Sequence, residues 1–332
     1  MNLLDRVMSK DGRMTAPLAG YPGIRLIGRS VREALHDPLV QLAALRALEN
    51  RLKPDIVFTL LDLSVEAESM GLEVDFFDKM PPSLSEQRLP KLERFYELGL
   101  PDPEKTARMP HFLDVAESLS DGEERMSGAY VTGPFTLLAQ LMGMQELLDS
   151  VKLGDTLTEP LGFTTSIIAE YAAALAARVD MVVVVDPAAE ALKAQEYGLL
   201  CRPYLGGLAG IIRSSGAISL LHVCGDVAHL LEELTLTGVE GICLDSKVNL
   251  PRELDRVPAN MVIFGNIDPK RIIQRGTPDD VRWEVRRLLR HMHKARNFVL
   301  STGCDVPLDA PIRNLEAMME EARNWRPRSS MF

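Results

Sequence analysis

Aromatic residues make up only 5% of this 332-residue sequence. Proteins that hold single-stranded nucleic acid stack its bases on aromatic side chains, and few are present here. A basic stripe is also missing, since 37 Lys and Arg stand against 47 Asp and Glu for a net charge of −10. Both absences argue against a nucleic-acid partner. The one basic stretch, Arg282 to Lys294, has helical spacing, with Val281, Val285, Leu288, Leu289 and Met292 along one side. Its cations read as the solvated face of a helix. No apolar run approaches the roughly 20 residues that span a bilayer, so no membrane segment is expected. The opening residues Met1 to Arg6 lack a basic segment followed by an apolar one, so no signal peptide is expected either. Four cysteines are too few for a disulfide framework in a chain of this length. They suit metal or thiol chemistry in a reducing compartment, and the expected location is the cytoplasm. Neither a Gly-x-Gly-x-x-Gly turn after a strand nor a Walker-type phosphate loop occurs.

What is present is an alternation. Apolar, β-branched runs at Ile56–Leu60, Ala129–Thr132, Met181–Val185, Ala217–Leu221, Gly241–Leu244, Met261–Phe264 and Asn297–Ser301 read as strands. Runs that are apolar throughout belong to a parallel sheet covered on both faces. Helical spacing fills the intervals: Phe135 to Val151, Phe163 to Val179, Val227 to Leu234, Pro278 to Ala295 and Pro311 to Trp325, the last with Asp309 as its N-cap. The pattern predicts one domain over residues 1–332, an α/β fold of the (β/α)8 TIM-barrel type, with a doubly wound open sheet as the alternative. Residues 1–50 form an N-terminal extension. The eighth strand would come from Thr15 to Ile27. Residues 71–101, with paired prolines at 81–82 and many charges, break the alternation and read as an insertion, either a lid near the barrel mouth or a surface excursion.

Polar residues close nearly every strand: Asp62, Thr132, Asp186, His222, Asp245, Asn266, Ser301 and Cys304. In a barrel these ends share one face, where active sites are built. Asp62, Asp186, Asn266 and Ser301 are the candidate substrate contacts, although Asp186 before Pro187 is also a turn signal. His222 and Cys224 are two apart at a strand end, so they point the same way. Cys304 ends another strand. One imidazole and two thiols are a zinc donor set with one tetrahedral position open, the arrangement of catalytic zinc. The same residues could equally be a buried core histidine and buried thiols. Asp245 could fill the fourth position or cap a loop. Cys201 and Cys243, without a histidine neighbour, read as structural.

Three segments carry a resemblance: Leu221-His222-Val223-Cys224-Gly225-Asp226, Gly265-Asn266-Ile267-Asp268-Pro269 and Ser301-Thr302-Gly303-Cys304-Asp305-Val306-Pro307. They resemble the corrinoid methyltransferase branch of the uroporphyrinogen decarboxylase family. Gly133–Thr136, Asp186–Ala188 and Glu66–Gly71 match it as well, and the similarity runs from about residue 15 to 325. The resemblance implies a TIM barrel with zinc held by His222, Cys224 and Cys304. An acid near Asp245 would complete the shell, with Asp standing where Glu is expected. It implies a zinc-dependent methyltransferase that activates a thiol and moves a methyl group to it from a methyl-corrinoid such as methylcobalamin. The acceptor would be a small-molecule thiol such as coenzyme M, whose sulfonate would want a cation, for which Arg25, Arg202 and Lys247 are candidates. The corrinoid would arrive on a separate carrier protein, because no Asp-X-His-X-X-Gly segment is present to ligate cobalt. The alternatives are a uroporphyrinogen decarboxylase-type enzyme, a methyl-corrinoid:folate methyltransferase and a non-catalytic corrinoid-binding protein. The paired arginines of true decarboxylases are missing from Ala16 to Arg25. Oligomeric state is not readable from the sequence.

Overall fold

The computed structural model describes residues 2–85, 92–121, 125–154 and 156–326. Among them seven strands form one parallel sheet in sequence order: β1 Ile56–Phe58, β2 Met126–Thr132, β3 Met181–Val185, β4 Ile218–Val223, β5 Gly241–Leu244, β6 Val262–Ile267 and β7 Phe298–Thr302. Every residue of β1, β2, β3, β5 and β7 is buried. That burial explains why these runs carry no polar alternation: both faces are covered. The two faces feed two cores. Val182 and Val184 of β3 pack outward with the helices. Met181, Val183 and Val185 pack inward with Phe58, Tyr130, Leu220, Phe264 and Val299, side chains from strands all round the sheet. The sheet is therefore curled about its own interior. Leu3 and Val7 of the helix Leu3–Ser9 join that inner core.

The two edge strands face a single segment. Ala16 N donates to Leu300 O and Leu300 N to Met14 O, each at 2.9 Å, while Asp55 N and Ile56 N both donate to Thr15 O at 3.1 Å. The strand expected over Thr15 to Ile27 is instead one bridge, Thr15 to Leu300. Proline carries no backbone donor for a ladder, so pairing stops at Pro17, and Tyr21–Leu26 turns into a helix with Pro22 in its first turn.

Helix boundaries follow local chemistry. The helix expected over Phe135 to Val151 is two, Pro134–Met142 and Met144–Leu153, parted at Gly143, whose φ is +98°. Pro278–His291 opens on a capping box, with the Thr277 side chain accepting from Asp280 N and the Asp280 carboxylate accepting from Thr277 N. Its cations are a solvated face as expected, paired as Arg282 with Glu320 and Arg286 with Glu321. The terminal helix is Ile312–Asn324 and has no side-chain cap. Asp309, expected there, accepts from Gln274 Nε2 at 2.7 Å instead. Within 71–101, Val74–Asp75 pairs antiparallel with Ser83–Leu84, and Leu92–Leu98 is helical. Residues 86–91 of that expected insertion lie outside the described residues. No helix among the described residues is long and apolar enough to cross a membrane.

Candidate metal centre at the strand ends

Period-two alternation aims the site. Leu220 of β4 faces the inner core while Leu221 and Val223 face the helices. His222 and Cys224 share the parity of Leu220, so they continue inward past the last rung. On β7, Val299 is inward and Leu300 outward, and Cys304 follows two residues after the strand ends. The metal-binding atoms of His222, Cys224 and Cys304 all lie within 4.8 Å of one another. Cys224 Sγ is 3.1 Å from His222 Nε2 and 3.7 Å from Cys304 Sγ. Two sulfurs held tetrahedrally at about 2.3 Å from zinc stand about 3.8 Å apart. The observed spacing fits that ion, and one nitrogen with two sulfurs is a donor set zinc accepts. His222 is buried, and both cysteines are half-buried.

The ring of His222 is fixed from behind. Its Nδ1 lies 2.8 Å from the Cys243 carbonyl oxygen, which can only accept. A proton on Nδ1 leaves the Nε2 lone pair facing the two sulfurs. Burial works against a charged ring, but the Cys304 sulfur, the Cys243 carbonyl and Asp245 together raise the His222 pKa above its ordinary value. The adjacent Cys224 sulfur and burial push the Cys304 thiol up, against the pull of His222. Burial alone pushes up the Cys243 thiol, consistent with its expected structural role.

Asp245 and Asn266 shape the loop between the cysteines. Asp245 Oδ2 accepts from Gly225 N at 3.1 Å, and Oδ1 accepts from Lys247 N at 2.9 Å and Ser246 Oγ at 3.2 Å. Asp245 stands outside the three-residue group. Asn266 donates through Nδ2 to Asp245 O at 2.8 Å and Val248 O at 2.7 Å, which pins that loop. Gly303 packs directly on the loop, where a Cβ would meet Ser246 N at 2.3 Å. Only glycine lets the Cys304 turn approach this closely.

The other candidate contacts are engaged within the protein. Asp62, with its side chain fully buried, accepts from Ser64 N and Oγ and forms an ion pair with Arg108 at 2.5 Å. Arg108 also pairs with Glu68 at 2.7 Å, donates to Ser64 Oγ and lies 4.7 Å from the Phe76 ring centre. Asp186 is fully buried, and its Oδ1 accepts from Thr136 N and Oγ1. Burial lifts its pKa to about 6 against those bonds, and its Oδ2 has no protein partner. Ser301, also fully buried, donates to Ala16 O at 2.6 Å and ties β7 to the N-terminal bridge. Of the cations expected for a sulfonate, Arg202 pairs with Glu233 and Arg25 donates to Asp309 O.

Sequence reasoning missed two residues of this rim. Arg108, the N-cap of the helix Met109–Leu119, lies forty or more positions from the carboxylates it joins, and no local pattern announces that contact. Glu66 is buried with its oxygens accepting from Thr132 N at 2.7 Å and Thr132 Oγ1 at 2.8 Å. Burial raises its pKa to about 7 against those two bonds.

The chain as a whole is similar to known proteins. The profile of the uroporphyrinogen decarboxylase (URO-D) family matches residues 13–325. A protein of Methanosarcina mazei named methylcobamide:CoM methyltransferase MtbA is 27% identical over 274 residues, covering 80% of this chain and 78% of the relative. Its namesake in Methanosarcina acetivorans is 28% identical over 273 residues, with the same coverage. A uroporphyrinogen decarboxylase of Prochlorococcus marinus is 24% identical over 284 residues, covering 82% of this chain and 79% of the relative. A solved structure described as a methyltransferase from Methanosarcina mazei superposes with a TM-score of 0.86 over 97% of both chains at 20% identity, which establishes a shared fold.

Proposed function

Because the chain belongs to the uroporphyrinogen decarboxylase (URO-D) family and is similar to relatives named methylcobamide:CoM methyltransferase, we propose that its strand-end site transfers a methyl group to a thiol. One observation carries this reading: an imidazole and two thiols from separate strands converge at the mouth with zinc-like spacing. In this reading His222, Cys224 and Cys304 hold a zinc ion. Such an ion supplies a positive charge that lowers the pKa of a bound thiol and of its own cysteines, so the nucleophile persists as thiolate at neutral pH. The protein's part is positional. Cys243 O orients His222, Asn266 and Asp245 set the loop that supports Cys304, and both cysteines are only half-buried.

In the overall reaction a methyl-corrinoid gives its methyl group to the thiol, the thioether leaves, cobalt departs as Co(I), and the thiol proton passes to solvent. The corrinoid comes from a separate carrier protein, and coenzyme M is the acceptor that the named relatives suggest. We read the architecture as one (β/α)8 domain whose eighth strand is reduced to the Thr15 bridge, with residues 1–50 as an extension and 71–101 as an insertion at the mouth. Asp62, Asp186 and Ser301 shape its wall. Free thiolates suit the cytoplasm. The decarboxylase reading draws support from relatives of that name, but it gives two converged thiols no task.

The test is consumption of methylcobalamin with coenzyme M, followed by absorbance, for wild type beside Cys304→Ala. Wild type should accelerate loss of the methyl–cobalt band and Cys304→Ala should not. Equal rates for the two proteins, or an inert wild type that decarboxylates uroporphyrinogen, would contradict the proposal.

A further inference from the structure

The turn that carries Cys224 is gripped from both sides. β4 ends at Val223, and the chain reverses through Gly225 at φ +103°. This leaves two consecutive backbone N–H groups, those of Gly225 and Asp226, outside the sheet ladder. Each meets a carboxylate from a different neighbouring element. Gly225 N donates to Asp245 Oδ2 at 3.1 Å, just beyond β5. Asp226 N donates to Glu190 Oε1 at 2.9 Å, from the 3-10 turn Pro187–Ala191 that follows β3. The flanking strands thus each send one acid to the same turn.

Glu190 also sets the room available. A Cβ at Gly225 would lie 2.0 Å from Glu190 Cδ and Oε1. The positive φ favours glycine there, and any side chain would displace the Glu190 carboxylate from its place on the turn. A backbone N–H bound to a carboxylate is a charge-assisted hydrogen bond, stronger and more directional than one to a neutral acceptor. Two such bonds in succession fix the peptide planes immediately after Cys224, and with them the direction of its Cα–Cβ bond. Glu190 itself is not in the donor group of His222, Cys224 and Cys304.

We propose that Glu190 is a positioning residue for Cys224, holding the Gly225–Asp226 turn against Asp245 so that the thiol meets His222 and Cys304. The proposal rests on the metal-site reading above and adds a residue to it. Groups that orient metal ligands from behind typically change metal affinity 10–100-fold when removed.

The experiment is a titration of metal-free protein with Co(II), followed by its thiolate charge-transfer and d–d absorbance, with a chelator competing for the ion. Glu190→Ala should bind cobalt about 10–100-fold more weakly than wild type and with an altered d–d spectrum. Glu190→Gln keeps an acceptor at the same reach but loses the charge assistance, so its affinity should fall between those of wild type and Glu190→Ala. Gly225→Ala should weaken binding at least as much as Glu190→Ala. Wild-type affinity and spectrum in Glu190→Ala would overturn the role of Glu190 while leaving the metal site standing. If Glu190→Ala does not fold, Glu190→Asp, one methylene too short, takes its place against Glu190→Gln, and equal wild-type binding by both overturns the proposal. A wild type that binds neither Co(II) nor Zn(II) would overturn the metal reading itself.

Discussion

The two sides of the curled sheet's strand-end rim solve the same problem in opposite ways. On the β1 side, Asp62, Glu68 and Arg108 form a closed set in which the charges are paired and Phe76 covers the guanidinium. On the β4 and β7 side, the two thiols find only each other and one imidazole nitrogen. Thiols are weak hydrogen-bonding groups, so their burial needs no strong partner. The closed set holds shape, because its opposite charges meet one another. The open set has donor capacity left. The difference separates structure from chemistry on one rim: both clusters are polar, but only one brings an imidazole nitrogen and two sulfurs together as a metal donor set.

Substitutions can break this contrast at either end. The largest effect on folding is expected at Arg108→Ala, which strands Asp62 and Glu68 without their counter-ion. Removing one member of a buried ion pair costs about 3–5 kcal/mol. Urea denaturation should show that loss while metal uptake per folded chain stays unchanged. A large fall in metal uptake would mean that the two sides are not independent.

Glu66 comes next. Its carboxyl is raised from 4.5 to about 7 by burial. Below about pH 4.5 it is protonated both folded and unfolded, and burial carries no ionisation cost. Between 4.5 and 7 the unfolded chain releases the proton while the folded one keeps it, so stability falls as pH rises, by about 3 kcal/mol in full. Glu66→Gln should remove that slope when denaturation is compared at pH 5 and pH 8. An unchanged slope would assign the pH dependence elsewhere.

Asn266→Ala, which frees the loop carrying Asp245, should cost about 1–3 kcal/mol through the two carbonyls that lose their donor. Unlike Arg108→Ala it should also weaken metal binding, which chelator competition would detect. At the small end, Arg282→Ala on the solvated helix should shift stability by less than about 0.5 kcal/mol.

How much of this was legible depended on the range of the interaction. The strands could be read because a chain buried on both faces must be apolar at every position, as Met181–Val185 is. The convergence of His222 and Cys224 could be read because a strand has period two. Cys304 needed the fold as well as the pattern, since its partners are some eighty positions away. The eighth strand over Thr15 to Ile27 could not be read. Closure there uses a handful of backbone bonds around Thr15, and Pro17 ends the pairing at once. Asp62 follows β1 closely in sequence, but its ion pair with the distant Arg108 decides what it does. Glu190 carried no signal, because its importance lies in a tertiary approach to a glycine thirty-five positions later.

The measurement that bears most directly on the central claim is metal content, by elemental analysis, of freshly purified wild type beside Cys304→Ala, with circular dichroism to establish that both are folded. The account predicts about one zinc per wild-type chain and far less in a folded Cys304→Ala protein. A folded wild type that carries no zinc and takes up none when it is offered, or a Cys304→Ala protein that retains a full equivalent, would contradict it.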